Sequence, residues 1–183
     1  MNTNQLPIIS IVTPSYNQGS YLEETILSVL EQGYPALEFF IFDGGSTDGS
    51  LDIIQKHQDQ LTFWESKPDR GQSHAINKGF RMASGEIVAW LNSDDLLAPG
   101  ALKVVAQAWQ QNPGVGLITG QTEIIDQAGK PTGNIFGSEP NVINSLLSSE
   151  NPISQPSTFF STSALKEVGF LDETLHMSMD WDL

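Results

Sequence analysis

The sequence contains no cysteine, so neither disulfides nor a cysteine-based zinc site supports the fold, and a reducing compartment suits it. Positive charge is scarce: 8 Lys and Arg stand against 22 Asp and Glu, a net charge of -14. That balance excludes nucleic acid as a partner, because it opposes extended contact with a phosphate backbone, and it means that an anionic ligand needs a cation as mediator. Long apolar runs are missing, and residues 1–6 lack the basic and apolar segments of a signal peptide, so the chain reads as soluble and cytoplasmic. Neither Gly-x-x-x-x-Gly-Lys nor Gly-x-Gly-x-x-Gly occurs, which argues against P-loop hydrolases and dinucleotide oxidoreductases. Repeats, low-complexity tracts and linkers are absent, and 183 residues with 39% hydrophobic content suffice for one domain with a sizeable core.

What is present is an alternation. Short, nearly continuous apolar runs at 8–12, 39–42, 61–64 and 87–91 are rich in β-branched or aromatic residues, as expected of strands buried on both faces. Helical patterns lie between them. The first is predicted to start at Ser20, where Ser20-Tyr21-Leu22-Glu23 has capping-box spacing, and to bury Leu22, Ile26, Val29 and Leu30 before Gly33 and Pro35 end it. A second carries Leu51 and Ile54, a third spans about 73–83, and a fourth opens at Pro99 with Leu102, Val105, Ala106 and Trp109 on one stripe. Strands alternating with helices predict an α/β fold with a mostly parallel sheet, whose ligands bind outside the carboxyl ends of the strands. After Gly116 the alternation fails: 117–125 followed by a turn at 126–130 predicts a hairpin or mixed-sheet edge, and 134–156 is loop-rich. A short helix is predicted near 164–168.

Each of the four strands runs into a polar cluster: Thr13-Pro14-Ser15-Tyr16-Asn17, Asp43-Gly44-Gly45-Ser46-Thr47-Asp48, Lys67-Pro68-Asp69-Arg70-Gly71 and Asn92-Ser93-Asp94-Asp95. Singly, each is ordinary turn vocabulary, and Asp48 or Ser73 serves equally well as a helix cap. Four at one sheet edge weaken that explanation. Asp94 and Asp95 are adjacent carboxylates after an apolar strand, and two unit charges 4 Å apart repel by about 4 kcal/mol at intermediate dielectric. Magnesium or manganese relieves that repulsion and is completed by phosphate oxygens and water; the alternative is a helix start with Asp95 on its dipole. Asp43 at a strand end suits the imide N–H of a uracil ring, with Gly44-Gly45 allowing close approach. A haloacid-type phosphatase needs a second Asp where Gly45 stands. Arg70 and Lys67 are rare basic residues in the third loop, available to a phosphate or a base edge, or simply solvated.

These clusters closely resemble the family 2 glycosyltransferases, the inverting group with a GT-A fold, in a bacterial form. The resemblance rests on Ile11-Val12-Thr13-Pro14-Ser15-Tyr16-Asn17, Phe42-Asp43-Gly44-Gly45-Ser46-Thr47-Asp48, Asp69-Arg70-Gly71 with Ala75-x-Asn77-x-Gly79, and Leu91-Asn92-Ser93-Asp94-Asp95. It implies that Pro14, Tyr16 and Asp43 line a nucleobase pocket, that Asp69 and Arg70 approach the nucleotide, and that Asp94 and Asp95 serve ribose and metal, with Asp95 the direct ligand of Mg2+ or Mn2+. Asp180, in Met179-Asp180-Trp181-Asp182-Leu183, is similar to the family's catalytic base, although Met179 stands where an acidic residue is usual. Gln155 and Pro156, before Phe159-Phe160, resemble the acceptor side. The implied partners are a nucleoside diphosphate sugar, UDP-linked by preference, and a glycan or lipid-linked acceptor; 1–115 forms the nucleotide-sugar half and 116–183 part of the acceptor half of a single domain. Relatives continue beyond the position of Leu183 with another helix and often a membrane-associating tail, so the expectation is a C-terminally truncated chain whose full-length form associates peripherally with the inner face of the membrane. A nucleotidyltransferase, which usually carries a glycine-rich basic loop after its first strand, and a non-catalytic nucleotide-sugar-binding fragment are the rival expectations.

Overall fold

Apolar strands without polar alternation bury both faces only if helices cover both sides, and that is the arrangement found. The computed structural model describes residues 5–137 and 153–175. In chain order the elements are β1 (Ile9–Ser15), α1 (Leu22–Leu30), β2 (Leu37–Asp43), α2 (Ser50–His57), β3 (Phe63–Ser66), α3 (Gln72–Met82) and β4 (Ile87–Trp90). There follow α4 (Ala101–Gln111), β5 (Leu117–Thr119), β6 (Thr122–Ile125), β7 (Pro131–Phe136), β8 (Thr158–Ser161) and α5 (Thr162–Val168).

One six-stranded sheet has the order β3-β2-β1-β4-β8-β5. The first four are mutually parallel, while β8 runs antiparallel to both neighbours. The predicted mixed edge and hairpin therefore both exist, the hairpin as a separate two-stranded sheet of β6 and β7. Side chains alternate between two cores. Ile9, Ile11, Phe39 and Ile41 pack with Leu22, Ile26, Val29, Ile54 and Leu102 on the face covered by α1, α2 and α4. Val12, Phe40, Phe42, Val88 and Trp90 pack with Ile76 and Phe80 of α3 and Leu165 of α5 on the other.

Chain order reverses at β1: the chain passes to β2 and β3 on one side and to β4 on the other, so the carboxyl ends of β1 and β4 form the switch point at which open α/β sheets take ligands. The ladder is stepped there. Pairing of β1 with β2 continues to Ser15↔Asp43, whereas pairing with β4 ends at Val12↔Trp90. In a parallel strand alternate residues bond opposite neighbours; Val12 O accepts Leu91 N at 2.9 Å, and Ser15 O accepts Gly44 N at 2.8 Å. Pro14 thus faces the side where β4 has already ended, so its missing N–H costs no ladder bond.

Some expectations need correction. Helix α1 begins at Leu22, with no side-chain cap; Gln18 O takes the N–H groups of both Tyr21 and Leu22 at 2.9 Å, which leaves Ser20 in the preceding turn. Helix α4 begins at Ala101 after Gly100 in the left-handed region, two residues past Pro99. Strand β3 is not buried on both faces: it is the sheet edge, and Phe63 is exposed. Residues 134–136, expected as loop, belong to β7, where Ile135 and Phe136 pair with Glu123 and Thr122.

Glycine at 79 has a steric reason. A Cβ there would stand 2.5 Å from Val12 Cγ1, so α3 lies closer to β1 than any side chain at this position permits.

Candidate functional site

The loops that follow β1, β2, β3 and β4 meet around a cleft of about 750 Å³ at the switch point. Its walls include Pro14, Tyr16, Asp69, Gln72, Asn92 and Asp94. Of the residues singled out from the sequence, Pro14, Tyr16, Asp69 and Asp94 therefore share one surface. Tyr16 is 64% exposed, an aromatic face open to a planar ligand. Gly44 makes room beside it: a Cβ there would lie 3.1 Å from the Tyr16 ring and 3.5 Å from Asp69 Oδ2.

The first two loops are stitched together by side chains. Asn17, with φ of 53°, donates its backbone N–H to Ser46 Oγ at 2.8 Å, and its Oδ1 accepts Thr47 N at 2.9 Å. Gly19 N donates to Asp48 Oδ2 at 2.7 Å, while Asp48 Oδ1 accepts both the N–H and the hydroxyl of Ser50 at the start of α2. Those donors, Ser50 foremost, hold the Asp48 carboxyl below the usual range.

Asp43 lies behind the wall. It is 2% exposed; Oδ2 accepts Gly45 N at 3.1 Å, Ser46 N at 2.9 Å and Ser66 Oγ at 2.6 Å, and Oδ1 accepts the Ser46 hydroxyl. With four internal donors the carboxylate is committed to shaping the Gly44-Gly45-Ser46 loop, not turned to the cleft as a base contact requires. Arg70 is also turned away: its guanidinium pairs with Glu173, and Lys67 pairs with Glu65 at 2.6 Å. Asp69 instead stays at the wall, its Oδ1 accepting Gly71 N at 2.8 Å.

At the end of β4, Asn92 organises a polar network. Its Nδ2 donates to Asp95 Oδ2 at 3.2 Å and to Gln155 Oε1 at 3.0 Å, and its Oδ1 accepts Gln72 Nε2 at 2.6 Å. Gln155 is tied down further by donating to Trp90 O at 2.8 Å, and Pro156 follows it in the 3-10 turn Gln155–Ser157 that leads into β8. Burial, then the neighbouring Asp94 charge, pushes the Asp95 carboxyl up to about 6, against the opposing Asn92 hydrogen bond. A divalent cation reverses that penalty, and two carboxylates completed by phosphate and water suit Mg2+ or Mn2+. No group of three or more acidic or histidine side chains fit to hold a metal gathers among the described residues.

The comparisons with known proteins decide the family, because the sequence profile of glycosyl transferase family 2 matches residues 10–169. The chain belongs to glycosyl transferase family 2. This family 2 chain is 31% identical over 190 residues to the poly-β-1,6-N-acetyl-D-glucosamine synthase of Staphylococcus epidermidis, across 98% of its own length and 46% of that protein. It thus spans less than half of this curated relative. Among solved structures it resembles S. aureus TarS residues 1–349 in complex with UDP, with a TM-score of 0.73 at 22% identity over 94% of this chain and 52% of that one. It also resembles a mannosyltransferase from Pyrobaculum calidifontis in complex with GDP-Man and Mn2+, with a TM-score of 0.67 at 22% identity over 94% and 50% of the two chains. The mixed sheet with helices on both faces is the GT-A fold.

Asp180 of this family 2 chain lies outside the described residues. Sequence reasoning gave no role to Gln72, Asn92, Asn77 and Glu173. The first two sit at helix and strand ends facing the cleft, a position visible in the alternation itself; Glu173 acquires its partners only through tertiary contact.

Proposed function

We propose that this chain is the donor-binding part of a metal-dependent inverting glycosyltransferase, which moves a sugar from a UDP-linked donor to a hydroxyl of a cell-surface glycan or glycolipid precursor. The observation that carries the proposal is the Asp94-Asp95 pair beside the switch-point cleft, one carboxylate on the wall and the other desolvated. In so acidic a protein, a nucleoside diphosphate is held only with a cation between.

In this reading Tyr16 stacks on the base, Pro14 and Asp69 border the nucleoside, and Asp43 acts through the loop that it holds. Asp94 takes the ribose, and Asp95 is the protein's ligand to Mg2+ or Mn2+. When bound, the cation offsets the charge that develops on the departing diphosphate. Asp180 accepts the proton of the acceptor hydroxyl as that oxygen bonds to the anomeric carbon. The bond from that carbon to the diphosphate oxygen breaks on the opposite side, and the nucleoside diphosphate leaves with the electron pair. Gln155 and Pro156, joined to the donor side through Asn92, border the acceptor. The sugars handled by the relatives support a hexose or N-acetylhexosamine, and full-length action at the cytoplasmic face of a membrane fits a lipid-linked acceptor. Among the described residues no helix is long and apolar enough to cross one.

A thermal-shift panel of UDP-, GDP- and dTDP-sugars, with Mn2+ or with chelator, tests the proposal. UDP-sugars with Mn2+ are expected to raise Tm by roughly 5–10 °C at a hundredfold excess over Kd, as linkage requires. Equal shifts with and without metal would sink the metal-dependent reading. Tyr16→Ala is expected to weaken UDP about tenfold, the loss of one stacking contact worth about 1–2 kcal/mol, and calorimetric titration measures it.

A further inference from the structure

The segment after α5 is moored to α3 by a buried amide and a cluster of charged side chains. Asn77, 1% exposed, grips Leu171 in both directions: its Nδ2 donates to Leu171 O at 2.8 Å, and its Oδ1 accepts Leu171 N at 3.1 Å. Two residues on, the Glu173 carboxylate gathers three partners from α3 and the loop before it. Oε2 pairs with Arg70, while Oε1 accepts Asn77 Nδ2 at 3.2 Å and lies 3.7 Å from Arg81. Arg81 in turn covers the Phe170 ring at 5.2 Å.

Arg70 is the unusual partner. It sits between Asp69 and Gly71, both of which line the cleft, and the next turn of α3 brings Gln72 and Ala75 to the same wall. A contact made by a ligand on Asp69 or Gly71 is therefore one residue removed from the ion pair that ties down Glu173. Asp180 lies seven residues beyond Glu173.

We propose that Glu173 is a positioning residue that couples donor occupancy of the cleft to the docking of segment 170–175, through its ion pair with Arg70. The proposal rests on the nucleotide-sugar reading of the cleft. Its physical content is that ordering of the Asp69-Arg70-Gly71 loop by a ligand lowers the entropic cost of keeping Glu173 docked, so that opening of 170–175 becomes rarer. The Asn77 clamp on Leu171 holds the segment in place without a ligand, and Glu173 makes that hold responsive to one.

Amide hydrogen exchange of the 183-residue chain with UDP and Mn2+ tests this. In the wild type UDP is expected to slow exchange across 170–175 about fivefold, a change in opening free energy of about 1 kcal/mol, the upper range for an exposed ion pair. In Glu173→Gln, which keeps the Asn77 contact and removes the ion pairs, UDP affinity is expected to stay within about threefold and the slowing to fall below about twofold. Glu173→Asp, which retains the charge, is expected to recover a substantial part of the slowing. Equal slowing in the wild type and Glu173→Gln, or none in either with UDP bound, overturns the coupling. Failure of the wild type to bind UDP at all would instead overturn the reading of the cleft.

Discussion

Asp95→Asn is expected to weaken Mn2+-dependent binding of UDP about 100-fold, removing about 2.7 kcal/mol of ligand stabilisation and roughly 5–10 °C of the associated Tm rise. The same substitution is expected to make the ligand-free protein more stable at neutral pH. Asp95 has its carboxyl pushed from 3.8 up to about 6 in the fold, so its contribution is fully favourable only below the unfolded value and is lost as pH rises through 6. Unscreened, that shift corresponds to about 3 kcal/mol; solvent around the partly exposed carboxyl reduces the penalty to about 1 kcal/mol. The variant's advantage should therefore vanish below about pH 4, grow between about pH 4 and 6, and stay constant above that. Urea melts at pH 3.5, 5 and 7.5, with and without Mn2+ and UDP, measure both effects. A variant that loses ligand-free stability at pH 7.5 while keeping metal-dependent binding would remove Asp95 from the metal site.

Gly79→Ala is expected to destabilise the fold even though alanine is the better helix former by about 1 kcal/mol. The added Cβ would meet Val12 Cγ1 at 2.5 Å, and Val12 is fully buried in the core between α3 and the sheet. Overpacking of this kind costs about 1–3 kcal/mol, and a β-branched partner has no rotamer in which to withdraw. The clash wins, leaving a net loss of about 1 kcal/mol and a Tm lower by roughly 2–4 °C. Val12→Ala supplies the missing space, so the double variant should be more stable than the sum of the single changes predicts, by 1 kcal/mol or more. Strict additivity would mean that the helix relaxes away from the strand by another route.

Much of this was legible in the sequence because period and punctuation both act locally. The runs at 8–12, 39–42 and 87–91 are apolar without alternation, and they fall in the interior of the sheet; Leu22, Ile26 and Val29 share a stripe, and they are buried. The clusters after each strand converge because a parallel sheet sends all its carboxyl ends to one side. What was not legible depends on contacts between distant residues. Asp43 takes one of its four donors from Ser66, 23 positions away; Arg70 lies 103 positions from Glu173 in sequence. Exposure of β3 follows from its place in the strand order, which composition does not encode. The start of α1 was misplaced because Ser20 and Glu23 match a capping pattern, whereas the Glu23 carboxylate is spent on Lys56 and His57 of α2, more than thirty positions away.

The unequal reach of β1 and β4 gives the cleft an origin that owes little to any one side chain. A notch appears wherever one inner strand outruns its neighbour, and proline at its lip discourages the shorter strand from zipping up alongside. Side chains lining such a notch can therefore be exchanged for others without the notch closing. Chains agreeing with this one at only 22% of positions retain its overall architecture, and substrate preference is free to diverge on a frame whose opening is fixed by strand length.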